Sequence, residues 1–217
     1  MAIYQPSLLM FGKNKLAVCA DRAAEMGFDK SKIVFLHAVQ VFAYMTEPTL
    51  NRKKDIYRKC GWSESDISVA FSRNPFCMTL SEKKIMANMD FFVNEVGCKP
   101  SDVALCPVIL GLSLDRRMRS RWLVVEMLKS RGLLKNPTGV NSLFKLSEEK
   151  FLKKYIFEYR ENIPRLLDFY RGTLSKEELF TGVFRLTGES DWLSRLCSRI
   201  ENLDNLSCEY ILDILSF

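Results

Sequence analysis

The side chains that recur at fixed places in this sequence are cations. Lys13 and Lys15 follow Pro6 by seven and nine residues, and Arg52, Lys53 and Lys54 follow Val41 by eleven to thirteen. Lys83 and Lys84 follow Pro75 by eight and nine. Arg116 and Arg117 follow Pro107 by nine and ten, and Arg119 and Arg121 continue that run. Ammonium and guanidinium groups at regular intervals suit one chemistry, the neutralisation of successive phosphates on a polyanion. Other chemistries lack their residues. The single histidine, His37, removes most His-based triads and metal sites and reads as a packed or groove-facing polar residue. The seven cysteines (Cys19, Cys60, Cys77, Cys98, Cys106, Cys197 and Cys208) contain no C-x-x-C pair, so neither a zinc ribbon nor a disulfide framework is expected. Most stand beside apolar positions and read as small core residues. There is no Gly-rich phosphate loop and no nucleophile elbow. The acidic pairs Glu148-Glu149 and Glu177-Glu178 fall at predicted helix starts, where they complement the helix dipole. Neither enzyme activity nor a cofactor is expected.

Charge is distributed unevenly. The net charge of +6 over 217 residues divides into +3 for residues 1–98, +7 for 99–172 and −4 for 173–217. A basic body with an acidic tail makes polyanions plausible partners of the body alone. With 47% hydrophobic and 27% charged residues, the composition is that of an ordinary globular chain. Apolar runs of four or five residues fall far short of the roughly 20 that a membrane-spanning helix needs, so no membrane partner is expected. The N-terminal stretch MAIYQPSLLMFGKNK has neither the basic-then-apolar pattern of a secretory signal nor the Arg/Ser-rich pattern of a transit peptide.

Something must hold those cations at their intervals, and the sequence supplies a repeat. Segments beginning at Gly27, Gly61 and Gly97 read GFDKSKI, GWSESDI and GCKPSDV. The glycines lie 34 and 36 residues apart, each with a serine four and an aliphatic six residues later. Each unit reads as two helices. The glycine ends one as a left-handed C′ residue. A cap follows: Asp29, Ser63 with Asp66, or Pro100 in the first turn. A short apolar helix runs to Pro75 or Pro107, which stop it, whereas Val41 stands at the corresponding place in the first unit. Thr46, Ser81 and Ser113 are positioned to cap the longer second helices. The best of these places Ile85, Met89, Phe92 and Val96 on one face. Trp62, Phe71, Phe76, Phe91, Phe92 and Trp122 are expected in the core. The prediction is an all-α, right-handed-type α-solenoid of about 34–36-residue helical repeats. Stacking then aligns the cations, expected in the first turns of the second helices, into a basic stripe along one face.

These features resemble the mitochondrial transcription termination factor (mTERF) family in its plant organellar branch. The resemblance rests on Gly61 with Ser65-Asp66-Ile67, on Arg73-Asn74-Pro75, on PVILGLSLDRRMRSR from Pro107 to Arg121, and on the stretch from Phe144 to Gly172. It covers about residues 4–172 and enters the pattern partway at the N-terminus. It implies a non-catalytic protein that binds duplex DNA or organellar RNA in a mitochondrion or chloroplast, acting in transcription termination, its regulation or RNA maturation. The stripe residues would supply the phosphate contacts, in a monomer. Residues 1–172 form the expected repeat array. Residues 173–217, with Trp192, Leu193, Leu196, Ile200 and Leu203 at helical spacing, read as an acidic helical extension that caps it or meets a protein partner. A protein-interaction scaffold without nucleic-acid binding is the alternative reading of the whole chain.

Overall fold

The predicted glycine punctuation is present in the backbone. Gly27, Gly61 and Gly97 have φ of 82°, 91° and 77°, and Gly132 continues the series with φ 65°. In the first of these turns the Phe28 amide donates to Ala23 O and the Gly27 amide to Ala24 O. That two-bond pattern satisfies carbonyls a helix end would otherwise leave unpaired. At Gly61 a side chain is doubly disfavoured, because a Cβ would also lie 3.1 Å from Pro100 Cγ.

The computed structural model describes residues 11–134, 139–175, 178 and 179, distributed over two compact units, 1–157 and 158–217. All regular structure among the described residues is helical. The first unit opens with α1 (Lys13–Glu25), α2 (Ile33–Tyr44) and α3 (Glu47–Lys59). Then α4 (Glu64–Arg73) runs into a 3₁₀ turn, Pro75–Thr79, before α5 (Glu82–Asp90). The short α6 (Pro100–Ala104) likewise runs into a 3₁₀ turn, Pro107–Gly111, before the helix that includes α7 (Ser120–Ser130). Last come α8 (Val140–Lys145) and α9 (Glu148–Phe151). In the second unit, α10 (Leu166–Arg171) ends on Gly172, φ 73°, with Ile163, Leu166, Leu174 and Leu179 buried. The predicted tail helices lie outside the described residues, as do Cys197 and Cys208.

Local chemistry accounts for the boundaries. Ser63 and Asp66 form a reciprocal capping box at α4, and Ser81 accepts the Lys84 amide at α5. Thr46 and Ser113 stand at N-cap positions, but neither side chain bonds a helix amide. Asp29 does not cap α2 directly: it accepts the Ser31 amide and hydroxyl in a local turn, and the helix begins at Ile33. Pro75 and Pro107 stop their helices as expected and open the 3₁₀ turns. Where Val41 replaces proline, α2 runs through, with the Met45 amide donating to Val41 O at 2.9 Å.

Three second helices contain a π turn, at Phe91–Glu95, Leu114–Arg119 and Leu152–Phe157. Its i→i+5 bonds run from the Val96 amide to Phe91 O (3.0 Å) and from the Met118 amide to Ser113 O (3.1 Å). A π turn takes one extra residue into the helix. Directly after α5 it buries both Phe91 and Phe92 beside Ile85 and Met89, while Val96 is half-buried.

Trp62 stacks on Tyr57 at 4.3 Å and its indole N–H donates to Pro100 O. Phe71 meets Phe28 and Phe42, and Phe144 meets Phe91 and Phe92. Two of the expected core aromatics are only half-buried: Phe76, against His37, and Trp122, beneath Lys129. No described helix is long and apolar enough to cross a membrane.

Candidate nucleic-acid interface

The predicted cations separate into two populations. One is tied to the backbone of the following unit. Lys53 Nζ donates to Leu80 O at 2.7 Å, Lys84 Nζ to Gly111 O at 2.6 Å, and Arg117 to Leu146 O at 2.7 Å. Each acceptor lies 27–29 residues ahead, at or just past the end of the next unit's first helical segment.

A second donor stands four residues after each cation. Tyr57 donates to Cys77 O, Asn88 to Leu110 O, and Arg121 to Leu146 O, at 2.7 to 2.8 Å. Residues at i and i+4 share a helix face, so each second helix clasps the end of the next unit at two points. Helix-end carbonyls lack intrahelical partners and must find donors when buried. Tyr57 and Asn88 were not legible as functional positions from the sequence, whose one available signal was a polar side chain four residues after a lysine.

The clasps correct the expectation of a solvent-facing stripe at several positions. Arg121 is 0% exposed; it also pairs with Glu148 at 2.9 Å and lies over the Phe151 ring. Lys53 is 7% exposed, and burial lowers its pKa. Arg117 is half-buried, with its Nε enclosed and unbonded. These groups saturate carbonyls inside the array and are withdrawn from a ligand face. The expectation that all the cations lie in first turns also fails for Arg52, Lys53 and Lys54, because α3 begins five residues earlier at Glu47, and for Arg119 and Arg121, which stand five and seven residues beyond the helix start at Leu114.

The other population faces solvent. Lys13 and Lys15 in α1, Lys83 at the start of α5, and Arg116 in the turn before α7 are all exposed. Lys13, Lys83 and Arg116 have no side-chain partner among the described residues, and Lys15 lies over the Phe11 ring. Arg52 pairs with Glu82, its side chain 67% exposed. Arg119 pairs with Glu95 and Asp115, which raise its pKa. Lys54 lines a separate pocket with Arg22 and Phe71. Within three adjacent pairs, Arg52-Lys53, Lys83-Lys84 and Arg116-Arg117, the first member is therefore exposed and the second clasped.

Burial pushes the Cys77 thiol up to about 12, raises the Tyr57 phenol and lowers His37. No cluster of three or more His, Cys, Asp or Glu suited to a metal occurs among the described residues.

A family model described as mTERF matches residues 1–152. The chain is similar to "Transcription termination factor MTERF8, chloroplastic" of Arabidopsis thaliana, 22% identical over 148 residues, which cover 68% of this chain and 29% of that protein. It thus spans less than a third of that relative's length. No solved structure matches it.

Proposed function

We propose, from the premise that this chain belongs to the mTERF family, that it is a non-catalytic nucleic-acid-binding protein regulating gene expression in an organelle. The observation that carries this reading is the alternation within the cation pairs. In three successive units a clasped residue fixes the helix while its neighbour, Arg52, Lys83 or Arg116, is presented to solvent. Lys13, Lys15 and Arg119 extend the series. Lys83 stands beside the free amides of a helix start, which add a favourable field for a phosphate oxygen. Surface ion pairs such as Arg52–Glu82 are worth about 0–1 kcal/mol, so a phosphate can displace the carboxylate at little cost.

Such contacts set affinity and register, whereas sequence preference would come from groove contacts and nucleic-acid shape. The name of the plant relative, a chloroplastic transcription termination factor, supports an organellar location and a role in transcription termination; a mitochondrial location, transcription regulation and RNA maturation are the other readings that the family resemblance implies. In this reading residues 1–172 form the array and the acidic segment 173–217 its cap.

The test is binding to matched duplex DNA, duplex RNA and single-stranded RNA across a salt series. Loss of one phosphate contact should make the slope of log K against log salt shallower by about one. Lys83→Glu and Arg116→Glu should each do so without lowering the melting temperature. Unchanged affinity in the double variant would overturn the reading, and the tightest of the three ligands assigns the process.

A further inference from the structure

A cleft in the first unit, away from the exposed cations, has the dimensions and chemistry of a single-side-chain socket. It has a volume of about 80 Å³ and is walled by Phe42, Leu50, Ile67, Phe71 and Met78, with Met26 at its mouth. The five wall residues are buried and Met26 is 53% exposed. Volume restricts the occupant. Small-molecule and cofactor sites run to roughly 300–1,000 Å³, which excludes an ordinary metabolite. An apolar cavity of about 150 Å³ takes a benzene ring, so this one fits a shorter aliphatic group. Methionines at the mouth and floor can adapt to its shape.

The rim specifies the charge that accompanies that group. The charged lining consists of Arg22, Lys54 and Glu64. Arg22 is held over the Phe42 ring and paired with Glu47, and Glu64 is paired with Arg58. Lys54 makes no hydrogen bond among the described residues, though its charge acts on Glu64 across the rim; two cations and one carboxylate leave the lining with one net positive charge. Lys54 is the member of the Arg52-Lys53-Lys54 run that neither clasps the next unit nor joins the solvent-facing series.

We infer that this pocket docks one leucine or methionine side chain, adjacent to an aspartate or glutamate, from an acidic segment of a partner protein. The aliphatic group fills the cavity as a desolvated anchor, and the neighbouring carboxylate pairs with Lys54. The inference does not depend on nucleic-acid binding, because neither the pocket wall nor Lys54 belongs to the proposed phosphate-contacting set.

The experiment is selection of a displayed random-peptide library on the folded chain, followed by affinity measurement of the enriched peptides. These should carry Leu or Met beside Asp or Glu. Ser68, exposed on α4 at the pocket lining, allows the socket to be plugged by Ser68→Trp. That change should weaken the peptides at least tenfold with duplex affinity unchanged, and Lys54→Glu should weaken the peptides several-fold. A melting curve on each variant verifies folding, and Lys54→Glu suffices if Ser68→Trp fails to fold. Three results would overturn the inference: no enrichment, enriched peptides without that pairing, or affinities indifferent to both substitutions. Sedimentation showing a dimer that Ser68→Trp dissociates would assign the pocket to a second copy, and would also overturn it.

Discussion

The junction between α1 and α2 and the junction between α5 and the turn at Pro107–Gly111 carry similar charges and use them differently. In α1, Lys13 and Lys15 both remain exposed. In α5, Lys83 is exposed but Lys84 is drawn onto Gly111 O, with Asn88 reaching Leu110 O and Leu112 O. The difference originates in the next unit. Without proline at Val41, α2 closes its own ladder, and Met45 satisfies the Val41 carbonyl. Pro107 instead breaks its helix and opens a 3₁₀ turn whose terminal carbonyls are buried and need donors from outside. A lysine's role is thus set by the backbone 27 residues away as much as by its own helix.

That contrast can be broken from either side. Arg121→Ala should have the largest effect, because it removes a fully buried guanidinium that packs on the Phe151 ring and takes away one of the two donors to the Leu146 carbonyl. Truncating so large a buried side chain typically costs about 2–5 kcal/mol, readable as a lower urea midpoint. Val41→Pro would impose on α2 the break found elsewhere, without the donors that elsewhere accommodate it. The expected loss is about 3 kcal/mol, and an unchanged melt would show that the proline position does not govern the junction. Tyr57→Phe deletes one hydroxyl and leaves Cys77 O without that donor, for about 1–3 kcal/mol.

The smallest effect concerns acid. Hydrogen bonds from the Ser63 hydroxyl and amide hold the Asp66 carboxyl below the usual carboxylate range. A pKa depressed in the folded state gives stability that is present above the unfolded value, near 4, and disappears as pH falls through the folded one. Asp66→Ala should therefore flatten the acid limb of a stability–pH profile and leave its alkaline side parallel to the parent.

What was legible in the sequence was local. Gly27, Gly61 and Gly97 declare themselves because left-handed φ selects glycine, and Ser63-Glu64-Ser65-Asp66 declares its box because both partners are side chains three residues apart. Gly132, 35 residues after Gly97, carries the signal in its glycine alone, since Asn136 and Thr138 stand where the other units have the serine and the aliphatic residue. The division of Lys83 from Lys84 was not available at all. The acceptors are carbonyls of Leu80, Gly111 and Leu146, and a carbonyl leaves no mark on residue identity. Periodicity does not reveal the π turn that follows α5, because Ile85, Met89 and Phe92 satisfy an ordinary helical face up to the point where the extra residue enters.

Those π turns have a consequence for how such an array changes length over time. A residue inserted into a connecting turn would displace the carbonyls that the clasps must reach, and the clasp spanning the insertion would be out of step. A residue inserted into a second helix can be absorbed as a widened turn, leaving both ends of that helix in place. Successive glycines stand 34, 36 and 35 residues apart, while the clasp donors still find carbonyls 27–29 residues ahead. The second helices therefore act as expansion joints, and insertions and deletions should accumulate at positions such as Phe91–Glu95 and Leu114–Arg119 rather than in the turns that carry the acceptors.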